Sequence, residues 1–530
     1  MPGKKKFNTE VLIIGGGVTG TGLARDLALR GILCLVLEME TINAGASGRN
    51  HGLLHSGARY VSSDPVSAGE CKAEGDILKK IAPHCIETTG GLYIAVKGDD
   101  EDYISQFPVL CQKAEIPWAP VSVKEALEFE PALTENTIAA FRVEDASIDP
   151  FHISLENMNQ AIEHGARYFN FCKVIRFHVA GKAIQRVTAV NLLNRQIFEI
   201  EAEIVVNAAG AWSGEIAKLA GIHVDMIYSK GSLLITHNRV SGHVLNRLRP
   251  PSDGDILVPG GTVSIFGTTS LRLDNLDNIR PTVEETDILV REASAMVPEL
   301  ENIRYIRAYA GVRPLVSSQE EGRADGSGSD RSVSRGFSLI DHGADKIENL
   351  ITITGGKMTT FRLMAEKTAN LVADKLHNKN QCLTAITPLK SKAPTRMTEA
   401  GTAFRLWSGK GNTEDITLCE CEMISKNQFK ELIDWLKKTR KTSDLNALRV
   451  HSRLGKGSCQ GTFCSQRVTG FMYDEDYLKD DEGIYNIKDL LRERFIGQRP
   501  VLWNGQLAQA ELNEALFCGF YGLDFENPYG

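Results

Sequence analysis

The chain has 530 residues, with 60 Lys and Arg against 67 Asp and Glu and a formal net charge of −7. That length accommodates about two to four domains, each able to bury its own core, and the mildly acidic balance leaves no basic footprint for nucleic acid. No apolar run is long enough to span a bilayer, and no apolar signal core follows the basic Lys4-Lys5-Lys6 start, so a cytoplasmic or membrane-peripheral protein is expected.

The apolar run Val11-Leu12-Ile13-Ile14 predicts a buried parallel strand. Gly15, Gly17 and Gly20 follow at G-x-G-x-x-G spacing, where the strand should turn into a helix. Such glycines allow a tight turn, close approach to a pyrophosphate and close helix–strand packing, with the pyrophosphate at the helix N-terminus. A second apolar strand over 34–37 ends in Glu38, near the offset where an acid accepts ribose hydroxyls. Together these elements predict an adenine-dinucleotide site. The small-residue loop over 44–50 holds Ser47, Arg49 and Asn50, and reads as either a plain surface loop or a second set of phosphate and flavin contacts. Residues 51–60 continue it with polar groups, and 65–82 predicts an amphipathic helix.

Short strand-like pieces and helices near 103–114 and 123–128 fill 87–149, which reads as the start of an inserted domain. A helix over 153–163 and a hairpin over 174–193 follow. A strand over 200–206 then runs into Asn207-Ala208-Ala209-Gly210. Ala209 and Gly210 would let backbone pack against a dinucleotide, or simply make a tight junction. Pieces at 231–236, 255–258 and 263–267 predict an antiparallel sheet, with a helix over 284–296. Residues 319–335 read as a polar surface loop. Strands over 337–341 and 350–354 precede Gly355-Gly356-Lys357 and a helix over 360–376. A polar, Pro- and Lys-containing connection over 378–400 marks a domain boundary.

Seven of the eleven cysteines are scattered, and a small buried core residue is the expectation for each. The other four stand in two pairs, Cys419-Glu420-Cys421 and Cys459-x4-Cys464. Four thiolates suit structural zinc or a 2Fe–2S cluster. Helices are expected over 427–439, 445–449, 486–495 and 508–520, and Trp503 and Phe517 read as packing residues.

Gly15 through Gly31, with Ala24, Asp26 and Arg30 at fixed positions, resembles the N-terminal signature of the FAD-dependent glycerol-3-phosphate dehydrogenase family. Gly355-Gly356-Lys357-x-x-Thr360-Phe361-Arg362 resembles its second signature, with Phe361 where tyrosine is usual. Leu54 through Tyr60 and Gly311 through Leu315 also match family stretches. With its four-cysteine tail the chain is most similar to the anaerobic branch of that family, and the tail resembles the bacterioferritin-associated ferredoxin-like module.

The resemblance implies an α/β (α+β) architecture: a glutathione-reductase-like, Rossmann-type FAD domain with an inserted antiparallel-sheet substrate domain and a small helical ferredoxin-like C-terminal domain. The expected boundaries are 1–86, 150–218 and 320–380 for FAD, 87–149 and 219–319 for substrate, 381–412 for a linker, 413–475 for the cluster and 476–530 for a helical tail. It implies oxidation of sn-glycerol 3-phosphate to dihydroxyacetone phosphate. FAD is the hydride acceptor, held by the residues above together with Thr359. Arg59 and Arg313 are the phosphate anchors, Tyr60 a further phosphate contact, and His55, Lys357 or a water the proton acceptor. It further implies a 2Fe–2S cluster on the four paired cysteines and two partner subunits, one an iron–sulfur membrane anchor, with room for FMN in a partner. Electrons would reach quinone indirectly, from the cytoplasmic face of the inner membrane. An amine- or imino-acid-oxidising flavoenzyme with the same module, or a non-catalytic scaffold, are the alternatives.

Overall fold

The computed structural model describes residues 4–277, 279–316, 336–390, 409, 414–440, 445–502 and 504–522. The loop expected over 319–335, most of the 391–412 connection and Trp503 lie outside these.

The first strand, Lys5–Ile14, is the centre of an eight-stranded sheet. Cys34–Leu37 pairs parallel on one side and Ile197–Asn207 on the other, in register Val11↔Cys34 and Ile14↔Asn207. Alternate residues of the first strand serve different cores, as the period of two demands. Val11 and Ile13 pack with Leu23, Leu27, Leu155 and Met364, while Leu12 and Ile14 pack with Leu35, Val205 and Leu350. Helices Val18–Leu29, Pro150–Glu163 and Phe361–Lys375 cover the first face. They approach closely because Gly22 has no side chain: a Cβ there would lie 2.9 Å from the Phe361 ring. Phe361 is fully buried in this contact, and its neighbour Arg362 forms a buried two-point pair with Glu74. The hairpin Cys172–Ala180 and Ala183–Asn191 extends the sheet, and Leu350–Gly355 joins it parallel to Ile197–Asn207.

The second sheet has nine strands, drawn from residues 91–143 and 226–316. It is not wholly antiparallel as expected, because Val244–Arg247 pairs parallel with Gly91–Val96. Its longest ladder joins Met226–Thr236 to Tyr305–Val316 and sets Gly231 opposite Gly311. Helix Val283–Ser294, started by a capping box from Thr282 and Glu285, covers one face.

Beyond the connection, helices Lys426–Arg440, Leu445–Ser452, Cys464–Asp474, Glu482–Gln498 and Asn504–Tyr521 share one core that includes Phe429, Leu432, Leu448, Met472, Leu491 and Phe517. The expected division at 475 therefore cuts through a single packed unit. Residues 381–390, expected as linker, lie against the first sheet's helices: Leu389 is buried and Arg25 donates to the Thr387 carbonyl. No described helix is long and apolar enough to cross a membrane.

Candidate functional site

A cleft of about 1320 Å³ runs between the two sheets and the C-terminal unit, larger than the few hundred to ~1,000 Å³ of ordinary small-molecule sites. Gly15 opens it with φ +118°, and a Cβ there would meet the Ala208 carbonyl at 2.4 Å. Gly20 does not line the cleft; its missing Cβ lets the helix sit against the Gly15 carbonyl. The helix starting at Val18 has no cap of its own, and the Ser47 hydroxyl accepts the Val18 N–H at 3.0 Å. Gly17 leaves room for that hydroxyl. Two loops thus build one anion-ready helix terminus. Glu38 lines the cleft and accepts the N–H groups of Gly16 at 2.6 Å and Glu40 at 2.8 Å; its burial raises its pKa against these bonds.

The other dinucleotide candidates divide. Arg49, Ala209, Gly210, Gly355 and Gly356 line the cleft. Asn50 also borders it but spends its amide on its own loop, donating to the Ala46 and Ser47 carbonyls and accepting from the Gly52 N–H. Thr359 is fully buried away from the cleft, where its hydroxyl accepts the His55 N–H at 3.1 Å and ties two site loops together. Gly311 seats the long strand of the second sheet on the Arg49 backbone, since a Cβ there would lie 2.5 Å from the Arg49 carbonyl oxygen.

The structure brings His55, Arg59, Tyr60, Arg313 and Lys357 to this same cleft. The Tyr60 hydroxyl lies 3.4 Å from His55 Nε2, and Lys357 Nζ sits 4.6 Å from the Tyr60 ring centre. Burial, then the nearby His51, Lys357 and Arg59, push the His55 imidazole down to about 3, so the ring stands neutral. Arg59 is buried and donates through Nη2 to Asp255 at 2.7 Å. Burial alone would raise the Asp255 carboxyl, but Arg59 and Arg249 outweigh it and hold Asp255 below its ordinary range. The other terminal nitrogen of Arg59, Nη1, is buried with no hydrogen-bond partner among the described residues. Arg313 donates to Ser229 and Thr268 and to the Thr269 carbonyl. Its space comes from Gly231, whose Cβ would lie 2.4 Å from Nη2.

Sequence reasoning missed the residues that orient these arginines. Asp255, Ser229 and Thr268 carry no local signal, because their roles arise only when distant strands pair. It also missed Arg453, Lys456 and Gln460, which reach the cleft from the C-terminal unit.

The four paired cysteines come together. Cys421 contacts Cys459, Cys459 contacts Cys464, and Cys464 contacts Cys419. Cys459 accepts hydrogen bonds from Cys421 and Cys464, then from the Phe463 and Gly461 N–H groups, and is held far below an ordinary thiol. Gly457 gives Cys421 its space, as a Cβ there would lie 2.3 Å from Cys421 Cβ. Of the scattered cysteines, five are buried as expected, while Cys382 and Cys518 are partly exposed.

A profile of FAD-dependent oxidoreductases matches residues 10–371. The chain is 39% identical over 540 residues to the A subunit of the anaerobic glycerol-3-phosphate dehydrogenase of Escherichia coli, covering 98% of each chain. It is 35% identical to the A1 subunit of the corresponding enzyme of Haloferax volcanii, covering 99% of this chain and 92% of that one. The glycerol-3-phosphate dehydrogenase of Bacillus halodurans, solved with FAD, shares the fold at TM-score 0.65 and 21% identity, covering 94% of this chain and 96% of that one. The chain belongs to the FAD-dependent oxidoreductases, in the glycerol-3-phosphate dehydrogenase family that contains these anaerobic enzymes.

Proposed function

We propose that the protein oxidises sn-glycerol 3-phosphate to dihydroxyacetone phosphate, with electrons leaving through a 2Fe–2S cluster toward partner subunits and quinone. The observation that carries the substrate assignment is Arg59: a buried guanidinium with Nη2 fixed on Asp255 and Nη1 unpartnered, in the cleft that also holds Arg313. A planar fork with a spare donor suits a phosphate oxygen. The two arginines stand on different elements, so they can grip the phosphate and fix the orientation of the carbon to be oxidised.

FAD, when bound, supplies the hydride acceptor. Its dinucleotide end would be held by the helix terminus that Gly15, Gly17 and Ser47 shape, and by Glu38. His55 takes the hydroxyl proton. Its low proton affinity owes part of its origin to Arg59 and Lys357, and a phosphate dianion on Arg59 offsets that field. Substrate binding thereby raises the basicity of the imidazole where the proton is released. Tyr60, beside His55 Nε2, fixes the ring.

One feature supports iron–sulfur over zinc. A tetrahedral zinc site holds all its sulfurs within about 3.8 Å of one another. Among the described residues, the only three metal-type ligand atoms within 4.8 Å of one another belong to His84, Cys85 and Glu156; the four paired thiols form a string instead. Arg494, whose Nε and Nη1 are buried without partners among the described residues, acts electrostatically on Cys459 and Cys464. It suits a four-thiolate centre of net negative charge, whether zinc or a 2Fe–2S cluster holds the thiolates. Gln460, next to Cys459, lines the flavin cleft, which supports direct electron exit. That the relatives are named as single subunits of a larger enzyme supports further subunits.

Anaerobic dye reduction by purified protein tests the substrate assignment. Arg59→Met and Arg313→Ala are each expected to lower kcat/KM for glycerol 3-phosphate by roughly 10- to 100-fold, as loss of a charged hydrogen bond predicts. Unchanged kcat/KM in both would contradict it.

A further inference from the structure

The segment over 453–460 leaves the cysteine unit and forms part of the wall of the flavin cleft. Most of its polar groups are accounted for. Arg453 is buried between Asp149 at 2.8 Å and Glu422 at 2.9 Å, and the Gln460 amide donates to the Lys456 and Gly457 carbonyls at 3.1 Å each. The Lys456 ammonium is the exception. Its Nζ is buried, has no hydrogen-bond partner among the described residues, and lies 4.5 Å from the Phe151 ring centre. Asp149 is the foremost negative group acting on it, but that carboxylate already serves Arg453 and caps the helix at the Phe151 and His152 N–H groups. Burial, together with the Arg453 and Arg449 cations, pushes the ammonium down to about 8.

A buried ammonium with no hydrogen-bond partner is costly, and the cleft it borders is the one assigned to FAD. We infer that Lys456 binds the cofactor through its negative charge, making the cysteine unit a wall of the flavin site as well as the exit for electrons. The inference rests on the FAD reading of the cleft. FAD offers two negative groups, the pyrophosphate and the reduced isoalloxazine, and the same chemistry recognises both.

Equilibrium dialysis of the full chain against FAD tests it, with a flavin potentiometric titration alongside. Lys456→Met is expected to raise the Kd for FAD at least tenfold or to move the flavin potential, and Lys456→Arg to restore most of whichever is lost. The cofactor-free Lys456→Met protein should keep the wild-type circular dichroism spectrum and a cooperative melt, and this separates lost binding from lost folding. If the pyrophosphate is the contact, affinity for ADP falls in parallel and the flavin midpoint potential is unchanged. If the reduced isoalloxazine is the contact, the potential moves negative and ADP affinity holds. Unchanged FAD affinity and potential in Lys456→Met would overturn the inference, while failure of wild type to bind FAD would overturn the reading beneath it.

Discussion

A methyl group on Gly20 would lie 2.0 Å from the Gly15 carbonyl oxygen, closer than any contact the turn could absorb without shifting. Gly20→Ala should therefore cost about 1–3 kcal/mol of stability, the usual penalty for overpacking, and weaken FAD binding; chemical denaturation and flavin retention on a desalting column report the two effects. Such glycine positions were legible in the sequence because spacing encodes backbone geometry directly. Side-chain direction is not encoded that way. Asn50 and Thr359 are both expected at the cofactor; Asn50 borders the cleft with its amide spent on its own loop, while Thr359 lies away from the cleft and ties loops together. His55 carries a pH signature. Its folded-state value of about 3 lies below the ordinary 6.5, so as pH falls below 6.5 the unfolded chain takes up the proton first. Folding then loses stability from about pH 6.5 down to about pH 3. For cofactor-free protein at pH 5 the loss from this group is about 2 kcal/mol. His55→Gln should gain relative to wild type by that amount between pH 7.5 and pH 5 in thermal unfolding, and parallel melting curves at the two pH values would refute it.

Helices with an apolar period and a start signal were read within a few residues: 65–82 became Pro65–Ile81 and 284–296 became Val283–Ser294. The helix Cys464–Asp474 was not anticipated, because its first residue was read as metal-ligand spacing and nothing before it caps. The strand Val244–Arg247 was missed for another reason: it is four residues long and pairs with a strand some 150 positions earlier. The first helix shows what local reading leaves out. Its cap comes from Ser47, 29 residues away. Ser47→Ala should lower stability by about 1 kcal/mol and weaken FAD retention, since the same hydroxyl organises the anion-binding end. Loss of neither would show that the cap is idle.

In the whole molecule, the cysteine unit and the helices after it share one core, and that core is fastened to the flavin cleft. One fastening is Arg453, which joins Asp149 at a helix N-terminus of the cleft wall to Glu422 beside Cys421; Val450 and Val501, buried in the two sheets' cores, add to it. Arg453→Met would strand two buried carboxylates and is expected to cost about 3–5 kcal/mol in denaturant unfolding; a cost near zero would mean the unit is held elsewhere. None of this was readable along the chain, because a lone arginine between two cysteine pairs has no sequence partner to point to. The two signatures and the cysteine spacing named the cofactor site and the thiol cluster, and only the fold shows them sharing a wall. The most direct test of the account is anaerobic mixing of the purified protein with sn-glycerol 3-phosphate, with absorbance followed by low-temperature EPR. Bleaching of the flavin band and appearance of a one-electron-reduced cluster signal are expected. A flavin that is reduced by an amino acid and untouched by glycerol 3-phosphate, or one that bleaches with no cluster signal and stoichiometric zinc present, would contradict it.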